Sequence, residues 1–278
     1  MKIMKKIAVA VFAGAMVFGF ASCGGAGDDD PNKMIKGSNK VYTIDYTSET
    51  DENSRGYNAT AYKHAGAAVQ LDFENVSNTF NGGVMGLIFD LEEKDGVKSF
   101  NIIGVKANDA NGGLGYYVSR FENVTDIQAE NFGTELTENP AKEIKYAPKG
   151  DVTFGGAKGV KNEEKEDTIT VYAYAIEEEA TEAGKDSANK DYAKGEYIYK
   201  VYLINNKVAN LDADGKLVDE NKKAIDLSGV TPAATIATGY TSLTQKKLAV
   251  YANVYGKKTL KGTWTYRGDY KEVGVDEN

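Results

Sequence analysis

Along much of this chain apolar and polar residues take turns, one for one. Val69, Leu71 and Phe73 alternate with Gln70, Asp72 and Glu74, and Leu248, Val250, Ala252 and Val254 alternate with Ala249, Tyr251, Asn253 and Tyr255. Leu260, Trp264 and Tyr266 share a face with Gly262, while Thr259, Lys261, Thr263 and Thr265 take the other. An extended backbone sends successive side chains to opposite faces, so these segments are predicted to be half-buried β-strands. Trp264 falls among the core residues and is expected inside. Further strands are predicted at Val41–Tyr46, Val84–Leu91, Ser99–Val105, Leu114–Phe121, Thr168–Ile176 and Tyr197–Ile204. The runs around Leu87–Phe89 and Ile102–Ile103 are apolar on both faces, as central strands are.

Helix signals are scarce. The best is Thr125–Phe132, which Gly133 could end. Leu91-Glu92-Glu93-Lys94-Asp95-Gly96 reads as a hairpin with Asp95-Gly96 at its tip. Gly155–Asp167 and Glu177–Gly195 lack strand pattern and read as long exposed loops, with Glu177–Glu179 a solvated charge run. No fixed repeat argues for a propeller or solenoid. Many strands, turn-rich links and little helix predict an all-β, antiparallel β-sandwich over residues 40–278. Two smaller β units meeting near residue 155 are the alternative division.

The N-terminus addresses the protein. Lys2, Lys5 and Lys6 precede an apolar run of 14 residues, Ile7 to Phe20, and then Ala21-Ser22-Cys23-Gly24. A basic head, an apolar middle and small residues before a cut are the parts of a secretory signal peptide. At 1.5 Å per residue the run spans about 21 Å, short of a bilayer core of about 30 Å, so a retained anchor helix fits less well. With the only cysteine directly after the small residues, residues 1–23 resemble a bacterial lipoprotein signal; Phe20 departs from the usual aliphatic residue. The resemblance implies removal of residues 1–22, lipidation of Cys23 and attachment to the membrane of a bacterial cell envelope. Ordinary cleavage leaving a free thiol is the alternative. Each buried methylene contributes about 0.8 kcal/mol, so several acyl chains on one cysteine hold a soluble domain firmly. Residues 24–39 are rich in Gly, Asp, Asn, Lys and Ser and read as a flexible tether. Asp28–Asp30 resembles the acidic stretch that routes some lipoproteins to the surface of the outer membrane.

Composition removes several functions. The formal charge is −8, and loss of the three leader lysines takes it to about −11, which argues against nucleic acid as a partner. His64 is the only histidine and Cys23 the only cysteine. That excludes multi-histidine metal sites and any internal disulfide and argues against Ser-His-Asp and Cys-His machinery. His64 reads as a surface or turn residue, or as a lone general base with nothing nearby to orient it.

Two constellations could bind something. Tyr172 and Tyr174 share one face of their strand, Tyr197 and Tyr199 one face of theirs, and Tyr251 and Tyr255 lie opposite the expected core residues. Flat rings on a rigid sheet stack on sugars or partner proteins at low entropic cost, and they also pair across strands simply to stabilise a sheet. Asn210, Asp212 and Asp214, followed by Gly215, partly match a calcium loop, although Asn221 stands where its Glu belongs. A β-turn at Asp214-Gly215 explains the same residues. No cofactor other than calcium is suggested. Acids are numerous enough for glycoside hydrolysis, yet no strand carries them at alternating spacing.

Gly86-Leu87-Ile88-Phe89-Asp90, Gly115-Tyr116-Tyr117-Val118-Ser119-Arg120-Phe121 and Leu260-Lys261-Gly262-Thr263-Trp264 are similar, in that order, to motifs of concanavalin A-like jelly rolls. The likeness runs in outline from Val41 to Tyr270. It implies two curved sheets and, in many relatives, glycan or protein binding on a concave face, with no binding residue carried over. The expectation is therefore a lipid-anchored, non-catalytic sandwich binding glycan or protein. A glycan-active hydrolase using an Asp/Glu pair and a structural or antigenic surface lipoprotein are the alternatives.

Overall fold

A computed structural model describes residues 34–38, 40–58, 62–64, 67–74, 83–108, 113–127, 142–145, 168–206, 209–227, 230–241, 246–267 and 271–272. Cys23, most of the expected tether and the Gly155–Asp167 stretch lie outside them. The strands are β1 (Ile35–Ser38), β2 (Val41–Thr47), β3 (Ser54–Asn58), β4 (Tyr62–His64), β5 (Ala67–Glu74), β6 (Gly83–Lys94), β7 (Val97–Asn108), β8 (Gly113–Val124), β9 (Lys142–Lys145) and β10 (Thr168–Glu179). Then follow β11 (Gly184–Lys185), β12 (Asp191–Tyr192), β13 (Tyr197–Asn205), β14 (Asn210–Leu211), β15 (Leu217–Val218), β16 (Ala234–Ala237), β17 (Lys246–Val254), β18 (Thr259–Tyr266) and β19 (Lys271–Glu272). Among the described residues there is no helix. Of the helix expected at Thr125–Phe132, residues 125–127 form a bend and turn, and the remainder is not described.

The strands form an all-β sandwich. One sheet runs β1-β2-β18-β5-β10-β13-β16; the other runs β19-β4-β17-β6-β7-β8-β9, with β3 also paired to β17. All these pairings are antiparallel. β5 lies between β18 and β10 and β17 lies beside β6, so segments from both ends of the chain interleave in both sheets. Ile44, Leu71, Val171, Leu203 and Trp264 of the first sheet meet Met85, Leu87, Ile103, Val250 and Val254 of the second in one continuous core. Burying such a side chain contributes about 1.5–3 kcal/mol, and many of them together offset the ordering of a chain with no internal disulfide. The Trp264 indole crosses the core and donates to the Gly86 carbonyl at 2.8 Å. Gly262 permits the sheets to approach: a Cβ there would stand 2.6 Å from Met85 Sδ.

The second sheet is apolar on both faces. Val84, Ile88, Phe100, Ile102, Phe121, Val124, Ile127, Ala249 and Tyr251 form a separate cluster on its far side. This is why β6 and β7 carry uninterrupted apolar runs, and both stand centrally in their sheet.

Three findings depart from the sequence reading. The ordered sandwich begins before residue 40, because Met34 and Ile35 are buried and β1 pairs with β2. β10 continues through Glu179, pairing Glu177 with Tyr199 and Glu179 with Tyr197, so the acidic run is strand and not loop. The rest of Glu177–Gly195 carries the small hairpin β11–β12.

One five-residue turn recurs three times. Asp186, Asp212 and Asp219 each donate their backbone N–H to the carbonyl of the lysine four residues on, Lys190, Lys216 and Lys223, and accept at their own carbonyl from the residue three on. In each, the Asp Oδ1 accepts that lysine's N–H, and the fourth residue takes a φ of 65° at Asn189, 76° at Gly215 and 63° at Lys222. Asp supplies the acceptor that holds a turn of this kind closed.

Candidate functional site

Two bulges on neighbouring strands build the site. In β6, Asp90 and Leu91 fall between the pairs Phe89–Asn101 and Glu92–Ser99; in β8, Glu122 and Asn123 fall between the pairs Phe100–Phe121 and Lys98–Val124. Asp90 and Asn123 take left-handed φ values of 53° and 59°, which Asp and Asn tolerate better than most side-chain-bearing residues. Bulges bend a strand and re-aim its side chains. Here the Asp90 carboxylate joins Asn101 of β7 and Arg120 of β8, which are themselves paired across the sheet.

The facing sheet completes the cluster from β10 and β13, where Glu177 and Tyr199 are register partners. After β16 the chain turns at Gly239, whose φ is 84°, and Tyr197 N–H donates to the Tyr240 carbonyl at 2.9 Å. That contact lays the Tyr240 ring beside Tyr197, stacked with centroids 6.4 Å apart and planes at 28°.

The Tyr240 hydroxyl donates to Glu177 Oε1 at 2.6 Å and lies 3.5 Å from Asp90 Oδ1. Its one hydrogen serves Glu177, since the second distance is too long for a good hydrogen bond. The two carboxylate oxygens are therefore no more than about 6.1 Å apart. Asn101 Nδ2 reaches Asp90 Oδ2 at 3.4 Å, and Arg120 Nη1 lies 3.6 Å from the same oxygen. Arg120 Nε donates to Glu122 Oε1 at 2.9 Å. Side-chain exposure is 5% at Asp90, 15% at Arg120 and 32% at Glu122, so the cluster opens from a closed floor to a wet rim. At the floor, Asn101 is wholly buried and its Oδ1 has no hydrogen-bond partner. Burial first, then the charges of Asp90 and the neighbouring Tyr240 and Glu177, push the Tyr199 phenol far above its ordinary range and keep it neutral.

The tyrosines singled out by alternation do not form one platform. Tyr172 and Tyr174 do lie on the outer face of their sheet, but Ala209, Leu211 and Leu217 pack there, leaving Tyr172 5% exposed and Tyr174 half-buried. The Tyr172 hydroxyl donates to Asn210 Oδ1 at 3.2 Å. Tyr251 is 1% exposed in the far cluster of the second sheet, with half-buried Tyr255 packed on it. Tyr199, 1% exposed, meets the Phe89 ring edge-on at 5.0 Å. Tyr197 alone of the six stands at the mouth of the polar cluster. Period-two patterning identifies a face correctly and does not reveal that both faces of a sheet are covered.

The residues proposed for calcium lie in and beside one of the Asp-to-Lys turns. Asp212 Oδ1 accepts Lys216 N–H at 2.8 Å, Asn210 serves Tyr172, and Asp214 is exposed in the turn. Among the described residues no three His, Cys, Asp or Glu side chains are grouped to hold a metal ion. His64 stands in β4. Glu177 was hidden because its strand ends in three acids that look solvated. Asp90, Asn101, Arg120 and Tyr240 come from separate elements, so no spacing links them; the one local cue is the break in alternation at Phe89-Asp90.

No protein-family model matches the chain, and no curated protein matches it. Among solved structures, "the crystal structure of a functionally unknown protein from Saccharomyces cerevisiae" is similar at 9% identity, over 86% of this chain and 90% of that one, with a TM-score of 0.33. At that score nothing follows from the likeness.

Proposed function

We propose that the chain is a lipid-anchored protein of a bacterial cell envelope whose sandwich binds glycan, without catalysis, at the mouth between its sheets. The supporting observation is the graded cluster itself: a buried carboxylate and amide at the floor, Arg120 and Glu177 on the walls, and two stacked phenols at the rim. Carboxylates and amides accept from sugar hydroxyls while aromatic faces cover the apolar face of a pyranose ring. Lipidation at Cys23 and a tether through about residue 33 would place this mouth outside the membrane. Isothermal titration against candidate oligosaccharides, chosen from a glycan array, tests the reading. Glu177→Gln and Tyr240→Phe, each verified as folded by circular dichroism, are expected to weaken binding by about tenfold, one hydrogen bond to a charged group. Empty arrays together with empty pull-downs from native envelopes would refute glycan and protein binding alike, and mass spectrometry of the purified protein tests the acyl group.

One observation favours hydrolysis as a second reading. The upper limit of about 6.1 Å between Asp90 and Glu177 oxygens admits the separation of about 5–5.5 Å that retaining glycosidases use. Release of reducing ends from a bound oligosaccharide, abolished by Asp90→Asn, would select it over simple binding.

A further inference from the structure

We infer that the mouth is turned away from the membrane that holds the anchor. It then takes glycan that is free in the medium or carried on another surface, and not the headgroup of a glycolipid in its own leaflet; the inference rests on the anchored, glycan-binding reading above. The starting point is where the chain enters the sandwich. Ile35 pairs with Ile44, Ile44 with Gly262, Gly262 with Phe73 and Phe73 with Ile169, so these five residues lie on one line across the first sheet. β10 leaves that line at Ile169 and reaches Glu177 eight residues on. At about 3.3 Å per residue, Glu177 stands about 27 Å along the strand from the line on which the chain enters. In the second sheet β6 runs the same way, from Gly86, whose carbonyl accepts the Trp264 indole N–H, to Asp90 beside Tyr240. β8 is parallel to β6, since each is antiparallel to β7. The rim lies farther out still: Glu122 follows Arg120 by two residues, and Tyr197 pairs with Glu179, two residues beyond Glu177. The mouth thus opens at the end of the strands opposite to Met34.

The link to the lipid is short. Ten residues, 24–33, separate Cys23 from Met34, which is buried in the core. The flexible coil that their composition predicts has an r.m.s. span of about 18 Å. With the mouth against the headgroups, Met34 would be held about 27 Å above them, about 1.5 times that span, and the tether would run back along the length of the sandwich. Upright or lying on its flank, the sandwich leaves the tether relaxed and the mouth open to the medium. A formal charge of −8 gives the body no general attraction to an anionic bilayer that would offset the stretch.

The test uses the acylated full-length mature protein in phosphatidylcholine vesicles doped with a lipid whose headgroup carries a maleimide, a stand-in for a membrane-borne ligand. Lys194→Cys places a thiol in the exposed turn that leads into Tyr197; Glu52→Cys places one in the exposed bend after β2, at the anchored end. Both thiols should react with soluble maleimide at rates within about twofold. With the membrane-held maleimide, Glu52→Cys should react at least about tenfold faster than Lys194→Cys, because a linker that cannot span two sites gives an effective concentration near zero. Inserting about twenty Gly and Ser residues after Gly27 raises the r.m.s. span to about 30 Å and should bring Lys194→Cys to within about threefold of Glu52→Cys. Equal membrane rates at the natural tether length, or a longer tether that leaves Lys194→Cys slow, would overturn the outward orientation and leave glycan binding intact. Reaction of the parent chain with soluble maleimide would show a free Cys23 thiol and remove the anchor itself. Empty glycan arrays would instead remove the reading of the mouth.

Discussion

Replacing Tyr240 by Phe deletes one oxygen and leaves the ring. The stack on Tyr197 survives, at 6.4 Å between centroids, so any change in stability belongs to the hydroxyl. That hydroxyl donates at 2.6 Å to Glu177 Oε1, and hydrogen bonds to charged groups are worth about 1.5–3 kcal/mol. Tyr240 is only partly buried, which argues for the lower half of that range. A second contribution comes from Asp90. At the upper limit of about 6 Å, two like charges repel by roughly 3 kcal/mol at an effective dielectric of 20, and the donor between them softens this repulsion. The variant should therefore lose about 2 kcal/mol, or about 4–8 °C in melting temperature for a chain of this size. Urea denaturation of the wild type, Tyr240→Phe, Glu177→Gln and the double variant gives the coupling directly, expected at about 1–2 kcal/mol. Tyr197→Phe keeps the same stack and serves as the control, expected within about 0.5 kcal/mol of wild type. A Tyr240→Phe loss below about 0.5 kcal/mol, or no coupling to Glu177, would show that the hydroxyl adds nothing through its bond to Glu177.

Gly262→Ala would place a Cβ 2.4 Å from the Asp72 carbonyl and 2.6 Å from Met85 Sδ; a loss of about 3 kcal/mol is expected by urea melts, and near-neutrality would mean that the sheets are not in such close approach. Trp264→Phe leaves the Gly86 carbonyl without its 2.8 Å indole donor and should cost about 2–4 kcal/mol, read in the same assay. Burial is the largest cause raising the phenols of Tyr57, Tyr172, Tyr174, Tyr199 and Tyr202, the last to about 12. Between the unfolded value near 10 and these folded values the native state holds more protons, so stability should fall from about pH 10 upward; absorbance at 295 nm should show late tyrosine ionisation coinciding with unfolding. Chelation by EDTA should leave the melting temperature within about 1 °C, because the Asp212 carboxylate is occupied by its own turn.

Alternation made the nine longer strand expectations legible, together with the interior place of Trp264 and the Asp95-Gly96 hairpin tip, where both residues take positive φ. It works because the pleat repeats every two residues and burial follows it. β1, β3 and β4 escaped because three to five residues are too few to display a period. The three Asp-to-Lys turns were readable in principle, since Asp186–Lys190, Asp212–Lys216 and Asp219–Lys223 share one spacing. The mouth was not. Its residues lie on five strands and one turn between Asp90 and Tyr240, converge through pairing across two sheets, and owe their orientation to bulges that alternation registers only as noise.

The last strand of the first sheet, β16, is an open edge whose outward N–H and C=O groups could recruit a foreign strand. Instead Asp186 Oδ2 accepts Ala237 N–H at 3.2 Å, Ser187 Oγ accepts Thr235 N–H at 2.9 Å, and Ser187 N–H donates back to the Thr235 carbonyl at 2.9 Å. A turn thus plugs the place a neighbouring copy would dock. This edge is thereby closed to strand addition, and Asp186 and Ser187 are the residues that close it.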